Sequence, residues 1–140
     1  MLIDRRKKEN PEVTKLGTDM AVPDSCLKNV MTMYRQDLKK TGLENAIWGH
    51  IGDNHLHVNI LARNAEDMEK GHALYKQWAH SIIAMNGTLS AEHGIGKLKA
   101  PYFKIMYSKT IFEKMVELKK VFDPAGLLGI GTIFGGGEPL

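Results

Sequence analysis

The segment from Leu56 to Ala62 limits the fold more than any other, because it alternates strictly: Leu56, Val58, Ile60 and Ala62 fall on one face of an extended strand and His57, Asn59 and Leu61 on the other. Such a strand needs a sheet whose apolar side is covered. His55 joins the second face, which therefore opens with His-x-His, a pair that packing alone seldom requires. Upstream, Ala46-Ile47-Trp48 reads as a partner strand, and Gly52-Asp53-Asn54 carries turn chemistry. The result is a predicted β-hairpin that places His50, His55 and His57 within eight residues of sequence around its turn.

The remaining elements follow from periodicity and caps. Thr18 to Pro23 alternates as a strand, and Asp24 or Ser25 can cap a helix that buries Leu27, Val30, Met31, Tyr34 and Leu38 and stops at Gly42. Asn64 caps a long helix with Met68, His72, Tyr75, Ala79, Ile82 and Ile83 on its apolar face, ended by Asn86-Gly87. Spaced eight residues apart, His72 and His80 on this helix cannot ligate one ion together and read as structural or surface residues. Thr88-Leu89-Ser90 is a short predicted strand, and Ser108 starts a third helix through Ile111, Phe112, Met115, Leu118 and Phe122 that Asp123-Pro124 closes. The order strand, helix, strand, strand, helix, strand predicts an α+β fold, a ferredoxin-like (split βαβ) antiparallel sheet with helices on one face. Residues 1–17 are expected to be a lead-in segment without an element of its own, 18–134 the domain, and 135–140 a flexible Gly-rich tail.

With the helices on one side, the polar face of the sheet is expected to be open to a substrate, a cofactor or a second domain. A second cluster, Ser90 to Lys97, adds Glu92 and His93 to the hairpin histidines. Cys26 is the single cysteine, so a metal site here depends on imidazole and carboxylate; Cys26 itself reads as a small buried hydrophobe. Two histidines plus Glu92 satisfy the three-ligand count of a catalytic zinc site, and either His50 with His57 or His55 with His57 can supply the pair. Asp53 is either an ordinary turn residue or an orienter of a ligand imidazole. Gly94-x-Gly96-Lys97 lacks the full spacing of a nucleotide loop. Its glycines let backbone approach a ligand, and Lys97 and Lys99 offer charge to an anion. Substrate contacts are expected from His55, Asn59, Lys97 and Lys99.

The chain carries a formal net charge of +3, with basic residues scattered apart from Arg5 to Lys8. Without interleaved aromatics this argues against nucleic-acid binding. No apolar run reaches the roughly 18 residues of a membrane span, and the charge after Met1-Leu2-Ile3 runs opposite to a secretory signal. A cytoplasmic location and no membrane association are expected. No nucleophile or complete hydrolytic motif accompanies the histidines, which disfavours a self-sufficient hydrolase.

His50-Ile51-Gly52-Asp53-Asn54-His55-Leu56-His57-Val58-Asn59 resembles the His-x-Gly-Asp-Gly-Asn-Leu-His-x-Asn motif of the FAD-linked oxidases related to D-lactate dehydrogenase, the glycolate oxidase flavin subunit and D-2-hydroxyglutarate dehydrogenase. Ser90 to Lys99 resembles that family's Ser-Ala-Glu-His-Gly-Ile-Gly-x-x-Lys segment, Val121 to Leu128 its closing Phe-Asp-Pro-x-x-x-Leu, and Asp19 to Pro23 its Asp-Val-x-Val-Pro strand. The resemblance implies a C-terminal cap domain of an FAD-dependent 2-hydroxy-acid dehydrogenase or oxidase. It implies His50, His57 and Glu92 as ligands of zinc or manganese and His93 as the catalytic base. FAD would be bound mainly by a flavin-binding domain in the same or a separate chain, and the cap alone would be inactive. Its uncovered face would favour a homo-oligomer. The alternative is a metal-binding or protein-interaction module that has lost redox chemistry. Asn54 and His55 depart from the motif's Gly and Asn, and Leu128-Gly129-Ile130-Gly131-Thr132 departs from the family's Leu-Asn-Pro-Gly-Lys.

Overall fold

The computed structural model describes residues 2–134, leaving aside the side chains of Leu2 and Ile3. The expected tail, 135–140, lies outside the described residues. The elements run α1 (Leu2–Glu9), β1 (Leu16–Gly17), β2 (Met20–Ala21), α2 (Leu27–Thr41), β3 (Asn45–His50), β4 (His55–Ile60), α3 (Ala65–Ala84), α4 (Ala100–Met106) and α5 (Lys109–Phe122). Helices and an antiparallel sheet make this an α+β chain, in two compact units, Met1–Glu92 and His93–Leu140.

In the first unit β4 is the central strand. It pairs antiparallel with β3 along one side, from Asn45↔Ile60 to His50↔His55. Along its other side it pairs with β1 at Leu16↔Ile60 and with β2 at Met20↔Leu56. Of the strand expected over 18–23 only β2 forms, β1 falling in the expected lead-in segment, and the strand expected at Thr88–Ser90 is reduced to one antiparallel bridge, Thr88 with Ala21. The apolar face works as the alternation predicts. Leu56, Val58 and Ile60 are buried with Val30, Tyr34 and Leu38 of α2 and Leu74, Trp78 and Ile82 of α3. Tyr34 meets Trp78 edge-on at 4.7 Å between ring centroids, and its hydroxyl reaches Met20 Sδ at 3.5 Å. Helix α3 lies so close to the sheet at Gly71 that a Cβ there would come within 2.6 Å of the Leu16 side chain.

Helix ends follow their sequence signals with one exception. Gly42 ends α2 in the left-handed conformation, φ 67°. Neither Asp24 nor Ser25 caps α2 as expected; its N-cap residue is Cys26, which makes no side-chain cap bond. Asp24 opens a 3₁₀ turn, Asp24–Cys26, without a side-chain cap, and its carboxylate accepts the Asn54 amide instead. Cys26 is half-buried. At the start of α3 the Asn64 side chain accepts the Asp67 N–H at 2.9 Å, and Asp67 reaches back to the Arg63 N–H at 3.0 Å, a reciprocal cap.

The lead-in segment does form an element, contrary to expectation. Helix α1 has Asp4 in its first turn and Arg6, Lys7 and Lys8 in its last, the charge order its dipole favours. Its anchor is tertiary. Arg6 donates to Glu44 Oε2 at 2.6 Å and to the Leu61 carbonyl, and Val13 packs with Ala62 and Met68.

The second unit gathers Phe103, Tyr107, Phe112 and Phe134 edge to face at 5.0–6.1 Å. Helix α4 was not expected from the sequence. Ser108 caps α5 by accepting the Ile111 N–H at 3.4 Å. Asp123 closes it, accepting the Leu127 and Leu128 N–H groups, each at 2.9 Å, and Lys119 Nζ; the Lys119 bond chiefly holds its carboxyl below the usual range. The apolar face read for α5 is not covered: the helix buries no residue, and Leu118, Val121 and Phe122 are exposed.

The buried Asp67 carboxylate is held below the ordinary range, first by its side-chain hydrogen bond with Arg63. Its pairing therefore stabilises the fold above the unfolded carboxyl value and is lost as pH falls through the lower folded one. Asp67→Asn should lose about 1–3 kcal/mol at neutral pH and show a smaller further loss on acidification than the parent, read from urea unfolding at several pH values.

Candidate metal centre

Register sets the site. His50 stands opposite His55 and Trp48 opposite His57, so all three histidines lie on one face of the hairpin. Ring centroids are 5.6 Å apart for His50–His55, 4.3 Å for His55–His57 and 6.1 Å for His50–His57. The choice between His50 and His55 as partner of His57 thus does not arise: all three converge. The turn between them holds Asn54 left-handed at φ 51°, a conformation Asn adopts more readily than most residues other than the motif's Gly. Gly49, at φ 151°, lies so near β4 that a Cβ would come within 2.2 Å of the His55 carbonyl oxygen.

Glu92 arrives from the far side of β2. Thr88 and Ala21 exchange backbone hydrogen bonds at 2.9 and 3.1 Å, and Ala91 N–H donates to the Asp19 carbonyl at 3.1 Å. The Glu92 N–H donates to Asp19 Oδ1 at 3.2 Å. These contacts bring the Glu92 carboxylate to 2.9 Å from His57 Nε2 and 3.4 Å from His50 Nε2. One ligand atom from each of His50, His55, His57 and Glu92 lies within 4.8 Å of the others.

Thr18 orients His57. Its N–H donates to the Val58 carbonyl at 3.0 Å in the sheet ladder, but the returning Val58 N–H bonds to the Thr18 hydroxyl at 2.9 Å rather than to its carbonyl. That hydroxyl donates in turn to the Leu56 carbonyl at 3.1 Å. The Thr18 carbonyl, released from the ladder, lies 2.9 Å from His57 Nδ1. A carbonyl only accepts, so Nδ1 carries the proton, and a neutral His57 turns its Nε2 lone pair toward Glu92. Two acceptors at 2.9 Å need a proton or a cation between them. The donor set therefore fits a divalent ion: imidazole nitrogen and carboxylate oxygen, with the Thr18 carbonyl fixing the His57 tautomer.

His55 is the most deeply buried of the three, its side chain 5 % exposed against 58 % for His50. Burial, reinforced by the nearby His57, holds its pKa below the ordinary value and so keeps the ring neutral. Its Nε2 lies 3.1 Å from Asp19 Oδ1 but without hydrogen-bond geometry. The open polar face that the sequence suggested is corrected here: His55, His57 and Asn59 are all buried, because β4 has a strand on each side and the Glu92 carboxylate reaches His57. Asn59 lies farther from the turn, opposite Gly17 and Ala46. Asp53 is exposed in the turn and borders a cleft of about 400 Å³ together with Ala21, His50, His55, Thr88, Ala91 and Glu92. His93 follows Glu92 in the chain and opens the second unit, where His93 and Lys97 are exposed and Lys99 is the half-buried N-cap residue of α4. His72 and His80 sit on α3, half-buried and exposed. Sequence reasoning gave no role to Thr18 or Asp19, although a carboxylate inside an apolar strand pattern is itself a signal of a buried polar network.

The profile of the FAD linked oxidases, C-terminal domain, matches residues 2–133. The chain belongs to this family. It is 31 % identical to glycolate oxidase subunit GlcD of Bacillus subtilis, over 86 % of this chain and 26 % of that protein. Similarity to D-2-hydroxyglutarate dehydrogenase of Stutzerimonas stutzeri is 40 % identity over 63 % of this chain and 20 % of the relative. For the mitochondrial D-lactate dehydrogenase [cytochrome] of Kluyveromyces lactis the identity is 30 %, over 94 % of this chain and 23 % of the relative. The chain thus spans about a quarter of the length of these relatives. Helix α1 falls within the family match. Among the described residues no helix is long and apolar enough to cross a membrane.

Thr18→Val should cost about 1–3 kcal/mol by leaving the buried Val58 N–H without its acceptor, whereas Thr18→Ser should keep most of the stability. Chemical denaturation measures both, and the slowly exchanging His57 Nδ1 proton, followed by NMR, should vanish only in the Val variant.

Proposed function

We propose that this chain supplies the metal- and substrate-binding part of an FAD-dependent 2-hydroxy-acid dehydrogenase or oxidase, of the D-lactate or glycolate kind. The observation that carries the reading is the convergence of His50, His57 and Glu92, the positions its family resemblance assigns to a metal, with His57 already oriented by Thr18. Bound zinc or manganese would supply Lewis acidity toward the substrate hydroxyl, and FAD would accept the hydride. His93 takes the hydroxyl proton as general base. His55 and Asn59 border the substrate on the hairpin face, and Lys97 and Lys99 attract its carboxylate. FAD is held by a flavin-binding domain in the same or a separate chain, and the exposed apolar residues of α5 offer a surface for such a partner or a second copy. The sheet order, Thr88 bridge, then β1 and β2, then β4, then β3, supports a ferredoxin-like split βαβ with a vestigial fourth strand.

A second reading, a metal-binding module without redox chemistry, is favoured by one observation. Where the family carries an Asn and a Lys, the chain has Gly129, at φ 57°, and Thr132, whose N–H donates to the Gly129 carbonyl at 2.8 Å in a tight turn.

Isothermal titration of the purified chain with zinc should show one site, and Glu92→Gln should weaken it by about 10- to 100-fold or more. His72→Ala should leave binding unchanged. Equal affinities for the parent and the Glu92 variant would remove Glu92 from the site. The purified chain should also carry no flavin absorbance, since no dinucleotide fingerprint occurs in its sequence; stoichiometric bound FAD would overturn that part of the reading.

A further inference from the structure

We propose that His55 is a fourth metal ligand, so that the ion is held by three imidazoles and one carboxylate rather than by the three-ligand set of the family pattern. This rests on the metal reading above and concerns a residue that reading places only beside the substrate. Three observations carry it. A ring nitrogen of His55 lies within 4.8 Å of the ligand atoms of His50, His57 and Glu92. His55 is 4 % exposed, and its Nε2 is buried without a hydrogen-bond partner, a state that buried polar atoms rarely keep. The strand leaves it little freedom to turn away: His55 is paired on both sides, with His50 of β3 and Ala21 of β2.

The sequence supports the same conclusion. At this position the family motif has Asn, a side chain that is shorter and a weaker ligand for borderline ions than imidazole. An N3O set of four protein donors would suit zinc, an ion that also accepts a fifth donor. Three nitrogens also shift preference away from manganese, which is better suited by oxygen. The chain should therefore select zinc over manganese more strongly than a two-histidine site does.

X-ray absorption of the zinc-loaded 140-residue chain counts imidazoles directly and needs no variant. Three are expected for the parent and two for His55→Asn. Competition against a chromophoric chelator should show zinc affinity falling about 10- to 100-fold or more in His55→Asn, while manganese affinity changes far less. Two imidazoles in the parent, with His55→Asn binding zinc as tightly, would overturn the proposal. If Glu92→Gln still weakens binding in that case, the metal reading stands and only the fourth ligand falls. A parent chain that binds no zinc would remove both.

Discussion

The candidate metal centre depends on one exchange within the sheet. At the Thr18–Val58 pair a regular antiparallel ladder would have each N–H donate to the opposite carbonyl. Here the Thr18 hydroxyl accepts the Val58 N–H in place of its own carbonyl, and the carbonyl turns to His57 Nδ1. No backbone donor is left unpaired, so the strand is interrupted at little cost. The interruption separates β1 from β2 and leaves Asp19 turned toward the segment that delivers Glu92. Thr18 thereby links the orientation of His57 to the arrival of the carboxylate that faces it.

What the sequence made legible was whatever local chemistry decides. The hairpin, the Gly42 and Asn64 helix ends and the buried stripe of α2 follow from alternation, caps and the helical period, and the structure has them. Helix α1 was hidden because its stability comes from Arg6 at Glu44 and the Leu61 carbonyl, far along the chain, and not from an apolar period. Neither residue expected to cap α2 does so: the N-cap is Cys26, and Asp24 has a competing partner in Asn54, which no local rule reveals.

The error about the polar face has a different cause. Alternation tells which side chains share a face, and it placed His55, His57 and Asn59 together correctly. It says nothing about what covers that face. Central strands are flanked on both sides, and β4 is buried along its whole length. Burial holds the His55 pKa below the ordinary value, which leaves that ring ready to bind a cation without first losing a proton.

Burial also divides the four site residues into two pairs. His55 and His57 sit on the central strand, His55 paired on both sides and His57 with Trp48 of β3. His50 stands at the end of β3 beside the turn, and Glu92 ends a segment held to β2 by a few bonds; both are largely exposed. Rigid donors define where an ion sits, and adjustable ones close on it from the solvent side. On that side, beside the hairpin turn, lies the cleft that His50, Asp53 and Glu92 border. The turn conformation then matters to the site as much as the strand does: Asn54, left-handed and bonded to Asp24, ties that mouth to the start of α2. This gives the departure from the motif's Gly a positive reason, because Gly supplies the left-handed backbone but has no side chain with which to hold it.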